Sequence, residues 1–307
     1  MPELVCFSLH HRSLPYSQFK KYMFSDYNAF YKDTEGLERV LIQSTTRIEV
    51  YAVGKHEKLR DLFPEEVKIY KDKKAVEHLF RLIGSIESRV LGENYLHLLI
   101  KEDFHLAKKL GAVADVLSKV FKSSFRVSER VEKDTKIRDT SILSSIAIKK
   151  ITDKIAPTRV VIFGAGRCGM NVVKELKESK RDIGLTIVNR QPKISKIVQR
   201  QVGGKVAEYK NLKNVIRHAE VLICATLASH HRVKPELLLG TGKIYVLDLS
   251  PFRNVDPSIA KLPNVEVING EIDKAMVEHM KKMKREVPKV EKIIEEELRD
   301  LYASSDV

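Results

Sequence analysis

The sequence predicts an α/β protein of two domains followed by a long C-terminal connecting helix. The strongest indication is a short apolar run, residues 160–163, that leads directly into a G-x-G-x-x-G loop at residues 164–169. After this loop, apolar runs of strand length alternate with amphipathic runs of helix length, as a doubly wound parallel sheet requires. Strand and helix patterns also mix before residue 140, but without a glycine loop.

The N-terminal domain, residues 1–140, is predicted to be an α/β domain. Apolar runs predict a first strand and then two adjacent strands that flank the polar turn at residues 45–47. Apolar residues at helical spacing predict helices, one of which contains Val76, Leu79, Phe80 and Ile83. The predicted strands are residues 4–9, 40–44 and 48–53, and the predicted helical stretches are residues 16–31, 73–83 and 95–132.

The second domain, residues 141–270, begins with a predicted helix that ends near Pro157. The strand at 160–163 and the helix at 170–179 follow, with further strands predicted at 185–188, 221–226, 245–249 and 265–268. Residues 271–307 are charged and helical in pattern, and form the predicted connecting helix. Pro288 should kink or divide that helix, because proline removes a backbone donor and clashes with the preceding turn.

The glycine loop indicates a dinucleotide site. Gly164 allows the tight turn out of the strand, Gly166 lets the backbone approach a pyrophosphate, and Gly169 lets the next helix pack closely. The N-terminal amides of the following helix would then face the anion. We therefore predict that residues 141–270 form a doubly wound Rossmann domain.

The end of the second predicted strand indicates which dinucleotide is bound. An NAD site usually has Asp or Glu about 20 residues after the loop, whereas a nearby cation suits a 2′-phosphate. This chain has Asn189-Arg190 there, so we predict NADPH as the cofactor. A surface Asn-Arg turn without a ligand is the alternative interpretation. The predicted cofactor-binding residues are Gly164, Ala165, Gly166, Arg167, Cys168, Gly169, Asn189, Arg190 and Thr226.

Composition narrows the class of protein. The 307 residues are 43% hydrophobic and 31% charged, which is typical of a globular chain. The chain contains no apolar run near the roughly 20 residues that span a bilayer, and its start lacks the pattern of a secretory signal. Its three cysteines, Cys6, Cys168 and Cys224, have no metal or redox spacing. We therefore expect a cytoplasmic protein with no metal site and no membrane partner.

The net charge of +14 allows attraction to a polyanion, although a lysine-rich composition alone would also explain it. The basic residues are scattered along the chain, which fits a broad RNA footprint better than a single base-reading helix. DNA is therefore not an expected partner.

Polar stretches in the N-terminal domain are candidate sites. One is His10-His11-Arg12-Ser13-Leu14-Pro15, directly after the first predicted strand. Another is the segment at residues 44–49, between two predicted strands. Polar side chains at strand ends commonly form sites in α/β proteins. His78 lies on an otherwise apolar helix, where a satisfied core histidine is the alternative to a functional one.

Together these blocks resemble the glutamyl-tRNA reductase family, NADPH-dependent enzymes that begin five-carbon tetrapyrrole biosynthesis. The resemblance covers nearly the whole chain in the family's order. HHRSLP looks like the family's N-H-[KR]-x-x-P motif, and HLFRLIGSIESRVLGE is similar to its most recognisable block. FGAGRCG, VNR, ATLASHH, LDLSPFRNVDP and LPNVEVINGEID then follow as in the family's cofactor domain.

The resemblance implies that the N-terminal α/β domain is of the catalytic type, and it implies a substrate, a reaction and a set of roles. In the family, a cysteine thiolate attacks the ester of glutamyl-tRNA, and hydride from NADPH reduces the resulting thioester to glutamate-1-semialdehyde. A semialdehyde aminotransferase would then be a partner. Arg47 would hold the substrate's side-chain carboxylate, and His78 would support the reaction near the ester. The remaining substrate-binding residues implied by the motifs are Ser44, Thr46, Ser88, Glu93, Asn94 and Tyr95.

The chain departs from the family pattern at the nucleophile. The family motif S-T-C-N-R-T-E-x-Y corresponds to residues 43–51 here, which puts Thr45 at the cysteine position and Thr46 at the asparagine position. A threonine hydroxyl needs an activating base to act as a nucleophile. The family's E-P-Q is Glu93-Asn94-Tyr95 here, and a downstream substrate-contacting glutamine falls at Leu99.

The second departure is length. The chain stops about where the family's C-terminal helical dimerisation domain would begin, so a divergent member without that domain is expected and its oligomeric state is open. Three hypotheses follow. The first is a glutamyl-tRNA reductase that uses direct hydride attack on the ester or a substitute nucleophile, with Thr45 in place of cysteine. The second is an NADPH reductase of another substrate. The third is a non-catalytic protein that binds tRNA or a pathway partner.

Overall fold

The computed structural model divides into two compact units, one formed by residues 1–139 with 280–307 and the other by residues 140–279. The structure describes residues 3–44, 46–54, 56–87, 91–92, 96–138, 142–164, 166–178, 182–189, 199–200, 203–226, 228, 230–250 and 253–303.

The first unit is built on a four-stranded antiparallel sheet with the order β2-β3-β1-β4. In the β1–β3 ladder, Cys6 lies opposite Tyr51, and Ser8 lies opposite Glu49. Because side chains alternate along a strand, these four residues project from the same face of the sheet. The strands are β1 (Leu4–His10), β2 (Glu38–Gln43), β3 (Arg47–Val53) and β4 (Lys68–Lys71).

Helices cover the sheet of this unit. α4 is amphipathic and buries Val76, Leu79, Phe80 and Ile83, as their spacing predicts. A later helix, α6, places Phe121 edge-on against Tyr51. Before residue 139, the described residues form a 3₁₀ turn (Lys20–Tyr22) and the α-helices α1 (Tyr16–Phe19), α2 (Tyr27–Asp33), α3 (Glu57–Arg60), α4 (Asp72–Ile83), α5 (Leu96–Lys109) and α6 (Asp115–Asp134).

The first unit confirms the predicted strands and the helix at 73–83, but the two longer predicted helical stretches are each interrupted. The stretch at 95–132 is two helices, α5 and α6, because the chain turns at Gly111 with a φ of +69°. The stretch at 16–31 is α1 and α2 with a 3₁₀ turn and a short non-helical segment between them. Edge strand β4 was not predicted.

The second unit contains a six-stranded sheet with the order β10-β9-β8-β5-β6-β7, in which every neighbouring pair is parallel. Counted from β5, this is the 3-2-1-4-5-6 order of the Rossmann fold, with its switch point between β5 and β8. The predicted doubly wound sheet is confirmed. Its strands are β5 (Arg159–Phe163), β6 (Gly184–Asn189), β7 (Lys205–Glu208), β8 (Val221–Cys224), β9 (Ile244–Asp248) and β10 (Val265–Val267).

The helices of the second unit pack on this sheet. Val172, Val173 and Leu176 of α8 are buried in the core beside β5, which explains the apolar stripe after the glycine loop. The α-helices with assigned bounds are α7 (Ile142–Lys154), α8 (Arg167–Glu178), α9 (Leu212–Ile216) and α10 (Pro235–Leu238).

The C-terminal region forms two successive helices, α11 (Asn269–Lys284) and α12 (Val287–Ala303). The chain divides next to Pro288, as predicted, because proline is tolerated in the first turn of a helix but not in its interior. α12 packs against α4 and α6 of the first unit. Its apolar face joins that unit's core through Val290, Ile293, Ile294, Leu298 and Leu301.

Candidate functional site

The loop between β5 and α8 has the backbone geometry of a nucleotide loop. Gly164 has a φ of +113°, and a Cβ on it would lie 2.2 Å from the carbonyl oxygen of Ala225. A Cβ on Gly169 would lie 2.1 Å from the carbonyl oxygen of Gly164. Around Gly166, the described residues leave an added Cβ with no neighbour within 4 Å. The first and third glycines therefore serve close packing, and the second leaves room for a ligand to approach the backbone.

The other predicted cofactor residues are described in part. Arg167 begins α8, and Asn189 ends β6. Thr226 follows β8, where its hydroxyl forms a hydrogen bond with the side chain of Asn254. Ala165 and Arg190 lie outside the described residues, so the choice between NADP and NAD stays a prediction.

Sequence reasoning missed a buried polar framework at the carboxyl ends of β8 and β9. The Asp248 carboxylate accepts hydrogen bonds from the backbone N–H groups of Ser250 and Val255, both at 2.9 Å. Asn254 is fully buried and donates to the carbonyl oxygen of Ala228 at 2.6 Å. These bonds fix the loops at the edge of a doubly wound sheet where ligands bind. The sequence signal was the polar run directly after the strand at 245–249.

In the first unit, polar side chains converge on Glu49, which is completely buried on β3. Arg47 donates to Glu49 Oε1 at 2.6 Å, and His78 Nε2 lies 3.1 Å from the same oxygen. The hydroxyl of Ser8 donates to Oε1 at 3.0 Å, and that of Tyr51 donates to Oε2 at 3.0 Å. Cys6 Sγ lies 3.9 Å from Oε2. We call the six residues Cys6, Ser8, Arg47, Glu49, Tyr51 and His78 the Glu49 cluster.

The electrostatics of the Glu49 cluster follow from this geometry. Burial alone would raise the pKa of the Glu49 carboxyl, but the attraction of His78 and Arg47 and their hydrogen bonds overcome it and hold that pKa far below its usual range. Burial opposes the charge on Arg47, but the ion pair with Glu49 raises the pKa of the guanidinium. The buried carboxylate is thus paired and fully bonded, as a buried charge must be.

The ends of β1 and β3 bring a second group of polar residues beside Arg47. His10 lies opposite Arg47 in the strand ladder, and burial together with Arg47 lowers the pKa of His10 to about 3. The backbone N–H of His11 donates to the carbonyl oxygen of Thr46 at 3.0 Å. Ser44 closes the turn, its N–H donating to the carbonyl oxygen of Arg47 at 2.8 Å. The two polar stretches singled out in the sequence therefore meet in space.

The outcome for the predicted substrate site is mixed. The structure brings Ser44, Thr46, Arg47 and His78 into one region of the first unit. His78 is buried, stacked on Tyr70 with ring centroids 4.2 Å apart, and bonded to Glu49, so it is a satisfied histidine within a polar cluster. Predicted residues that lie outside the described part of the chain are Thr45, Ser88, Glu93, Asn94 and Tyr95.

All three cysteine thiols are described, and none has an ordinary pKa. Burial, with Glu49 nearby, raises the pKa of Cys6 well above its usual value. Burial raises the pKa of Cys168 to about 11, and burial with Asp248 raises that of Cys224 to about 12. Because the thiolate is the reactive form, these environments disfavour all three as substitute nucleophiles at neutral pH.

Comparison with known proteins agrees with this architecture. The family model described as glutamyl-tRNA(Glu) reductase, N-terminal domain, matches residues 7–135, and that described as shikimate/quinate 5-dehydrogenase matches residues 146–274. The chain is 28% identical over 298 residues to a glutamyl-tRNA reductase of Methanocaldococcus jannaschii, covering 93% of this chain and 76% of that protein. It is 28% identical over 319 residues to that of Methanopyrus kandleri, covering 97% and 78%.

A solved structure gives the same result. The structure of glutamyl-tRNA reductase from Methanopyrus kandleri superposes with a TM-score of 0.61 at 26% identity, over 99% of this chain and 80% of that one. Over most of its length the chain is thus similar to glutamyl-tRNA reductases. The relatives named above are reductases, and the second unit of this chain has the Rossmann nucleotide-binding fold. Among the described helices, none is both long and apolar enough to cross a bilayer.

Proposed function

We propose that this protein is a member of the glutamyl-tRNA reductase family and reduces glutamyl-tRNA to glutamate-1-semialdehyde with NADPH, without a cysteine nucleophile. The observation that most supports this is the Glu49 cluster. It fixes Arg47 and His78, which match the family's motifs, in one buried network on β3 and α4. Similarity to glutamyl-tRNA reductases over most of the chain supports the choice of substrate.

Arg47 would bind the carboxylate of the glutamyl group. Its Nη1 donates to Glu49 and its Nη2 donates to the backbone carbonyl oxygen of Glu87 at 2.7 Å, so both ends of the guanidinium have a fixed position. A guanidinium has five N–H groups, and an oriented one can receive a carboxylate in a bidentate pair. Glu49 and His78 would therefore act by holding Arg47 in place.

NADPH would bind at the carboxyl edge of the second unit's sheet. The open backbone at Gly166 and the start of α8 would hold the pyrophosphate, and Arg190 would contact the 2′-phosphate. The framework of Asp248 and Asn254 would shape the loops after β8 and β9. When bound, the cofactor supplies a hydride.

With Thr45 at the cysteine position and all three thiols poorly ionised, direct reduction of the ester is the favoured route. The carbonyl carbon gains a hydride, the bond to the tRNA oxygen breaks, and that oxygen takes one proton. The products are the aldehyde, free tRNA and the oxidised cofactor. An ester is a poorer hydride acceptor than a thioester, so we expect slow turnover.

A second candidate, reduction of a different substrate, is favoured by one observation. Leu99, at the position of a substrate-contacting glutamine in the family, is only 3% exposed and belongs to the apolar core of the first unit. A side chain in that core gives a substrate no hydrogen bond. The pocket for the glutamyl group would then differ from that of the family.

The deciding experiment incubates the purified protein with NADPH and charged glutamyl-tRNA and measures glutamate-1-semialdehyde. Uncharged tRNA is the control. We expect slow product formation in the wild type and a large gain in Thr45→Cys, because a thioester would become accessible. Thr45→Ser is the matched control, since it keeps a hydroxyl and should give no gain.

The variants separate the candidates. Arg47→Lys should lose activity both in the wild type and in Thr45→Cys, because an ammonium cannot replace the guanidinium fork. NADPH binding without product in the wild type and in Thr45→Cys would contradict the proposed substrate and favour the second candidate. Binding of tRNA without cofactor turnover on any tested ester would favour a non-catalytic protein.

A further inference from the structure

His10 ends β1, and one nitrogen of its ring is held by a hydrogen bond. The backbone N–H of Arg12 donates to His10 Nδ1 at 3.1 Å, so Nδ1 must be the acceptor of the ring. A neutral imidazole has one acceptor and one donor nitrogen, and the donor of His10 is therefore Nε2. No hydrogen-bond partner of Nε2 lies among the described residues. The first unit thus has one oriented N–H group that its described residues do not use.

The surroundings keep the ring of His10 neutral. Burial lowers the pKa of His10 most, and the positive charge of Arg47 lowers it next. His11 and Arg12 act in the same direction and Glu49 opposes them, so that the pKa falls to about 3. At neutral pH, His10 is therefore an uncharged donor beside a permanent cation.

The strand register places His10 beside the residues of the predicted substrate site. His10 and Arg47 are partners in the β1–β3 ladder, and alternation along β1 puts His10 on the same sheet face as the Glu49 cluster. The next residue, His11, donates its backbone N–H at 3.0 Å to Thr46, which directly follows the nucleophile position of the family's motif. His10 is therefore next to both the guanidinium that would hold the substrate's carboxylate and the turn at residues 44–46.

We propose that His10 donates a hydrogen bond from Nε2 to the carbonyl oxygen of the reacting ester and stabilises the negative charge that forms on that oxygen. This role rests on the proposed function. In glutamate, four carbon–carbon bonds separate the two carboxyl carbons, a span of about 5 Å, and paired Cα atoms in an antiparallel ladder are about 4.5–5.5 Å apart. A glutamyl group whose carboxylate is bound by Arg47 is therefore long enough to present its ester to His10.

The hydrogen bond acts where charge develops during the reaction. The carbonyl carbon gains a hydride, and the π electrons of the carbonyl group move to its oxygen, which becomes an alkoxide facing the N–H of His10. When the double bond re-forms, the bond to the tRNA breaks and its electron pair leaves with the tRNA oxygen, which takes a proton from water. Nε2 keeps its proton throughout, because a neutral imidazole is a very weak acid. The stabilisation matters most for an ester, which accepts hydride less readily than a thioester.

Two substitutions separate this role from a structural one. The motif that HHRSLP resembles has asparagine at this position, and His10→Asn keeps an acceptor for the Arg12 N–H but places no donor where Nε2 lies. His10→Gln places an amide NH₂ group near the position of Nε2. Because the donor is needed only as charge forms, His10→Asn should lower kcat about 10²–10³-fold with little change in KM. His10→Gln should recover part of that loss.

The experiment measures reduction of radiolabelled glutamyl-tRNA by the wild type and both variants, with NADPH affinity and thermal melting as controls for folding. Wild-type kcat in His10→Asn, or a kcat in His10→Gln as low as that in His10→Asn, would overturn the role of His10 and leave the proposed function standing. Absence of product in the wild type would instead contradict the proposed function, and the role of His10 would fall with it.

A second measurement does not depend on activity. Long-range ¹H–¹⁵N spectra of the imidazole rings, assigned with the help of His10→Asn, should show His10 protonated on Nε2 and unprotonated on Nδ1. This state should not change between pH 7 and pH 5. A His10 ring that carries its proton on Nδ1, or that becomes charged in this range, would overturn the proposal whatever the activity.

Discussion

Glu49→Gln should destabilise the first unit severely. The substitution keeps the shape of the side chain but removes a charge that is completely buried and paired with Arg47, itself 7% exposed. Without the negative charge, the guanidinium stays buried with uncharged acceptors, the amide oxygen of the new side chain and the backbone oxygen of Glu87. Removing one partner of a buried ion pair typically costs about 3–5 kcal/mol.

The hydrogen bonds lead to an overlapping range of destabilisation. Oε1 of the carboxylate accepts from Ser8, Arg47 and His78, and Oε2 accepts from Tyr51. A glutamine that keeps its oxygen at the Oε1 position presents its NH₂ group to the hydroxyl of Tyr51. A buried donor left without an acceptor costs about 1–3 kcal/mol, which overlaps the lower end of the estimate from the ion pair.

The assay is urea unfolding followed by hydrogen exchange of peptides from β1 and β3, which reports the first unit separately. The matched control is Glu3→Gln, which breaks the exposed 2.7 Å pair between Glu3 and Lys71 in the same unit. An exposed pair contributes little to stability, so the control should unfold almost as the wild type does. If Glu49→Gln cost no more than Glu3→Gln, the assignment of Glu49 as the central anion of the first unit would be wrong.

Three further predictions concern pH and backbone geometry. Because the pKa of Glu49 in the folded state lies below its unfolded value, the stabilisation by Glu49 is complete above about pH 4.5 and is lost as the pH falls. The urea unfolding midpoint of Glu49→Gln should therefore fall less on acidification than that of the wild type. Burial raises the pKa of Asp103 to about 7, so the free-energy cost of burying its ionised carboxylate grows as the pH rises from about 4 to 7. Asp103→Asn should therefore stabilise the protein against urea at pH 8, with a smaller gain at pH 5. Gly92→Ala would place a Cβ 1.7 Å from the carbonyl oxygen of Ile137, whereas Gly111 has a similar positive φ and open space around it. In thermal melts, the free energy of unfolding should fall by several kcal/mol in Gly92→Ala and by about 1 kcal/mol in Gly111→Ala. Equal losses at the two glycines would contradict the close approach.

The second unit was the more predictable part of the fold, because its signals are local. The glycine loop, the apolar strands and the amphipathic helix each occupy a continuous stretch of sequence. Strands β4 and β7 escaped prediction because they are short edge strands with exposed lysines and little apolar alternation. The break between α5 and α6 was missed because the apolar stripe continues on both sides of Gly111.

The Glu49 cluster was harder to predict, because it depends on strand register and helix packing. From the sequence, Cys6 has no metal or redox spacing to another cysteine and was assigned to no site. In the structure, the antiparallel register sets Cys6 opposite Tyr51, on the same sheet face as Glu49. Arg47 and His78 were identified through family motifs, and their roles toward substrate stay predictions.

The return of α12 to the first unit affects how the chain must be synthesised and folded. The core of that unit needs Val290, Ile293 and Leu298, which leave the ribosome only after the whole nucleotide-binding unit has been made. Residues 140–279 can thus become compact first, while the apolar surface of α4 and α6 stays exposed until α12 has been synthesised. A stop codon or frameshift near residue 279 would leave that surface exposed and make the shortened protein a substrate for chaperones and proteases.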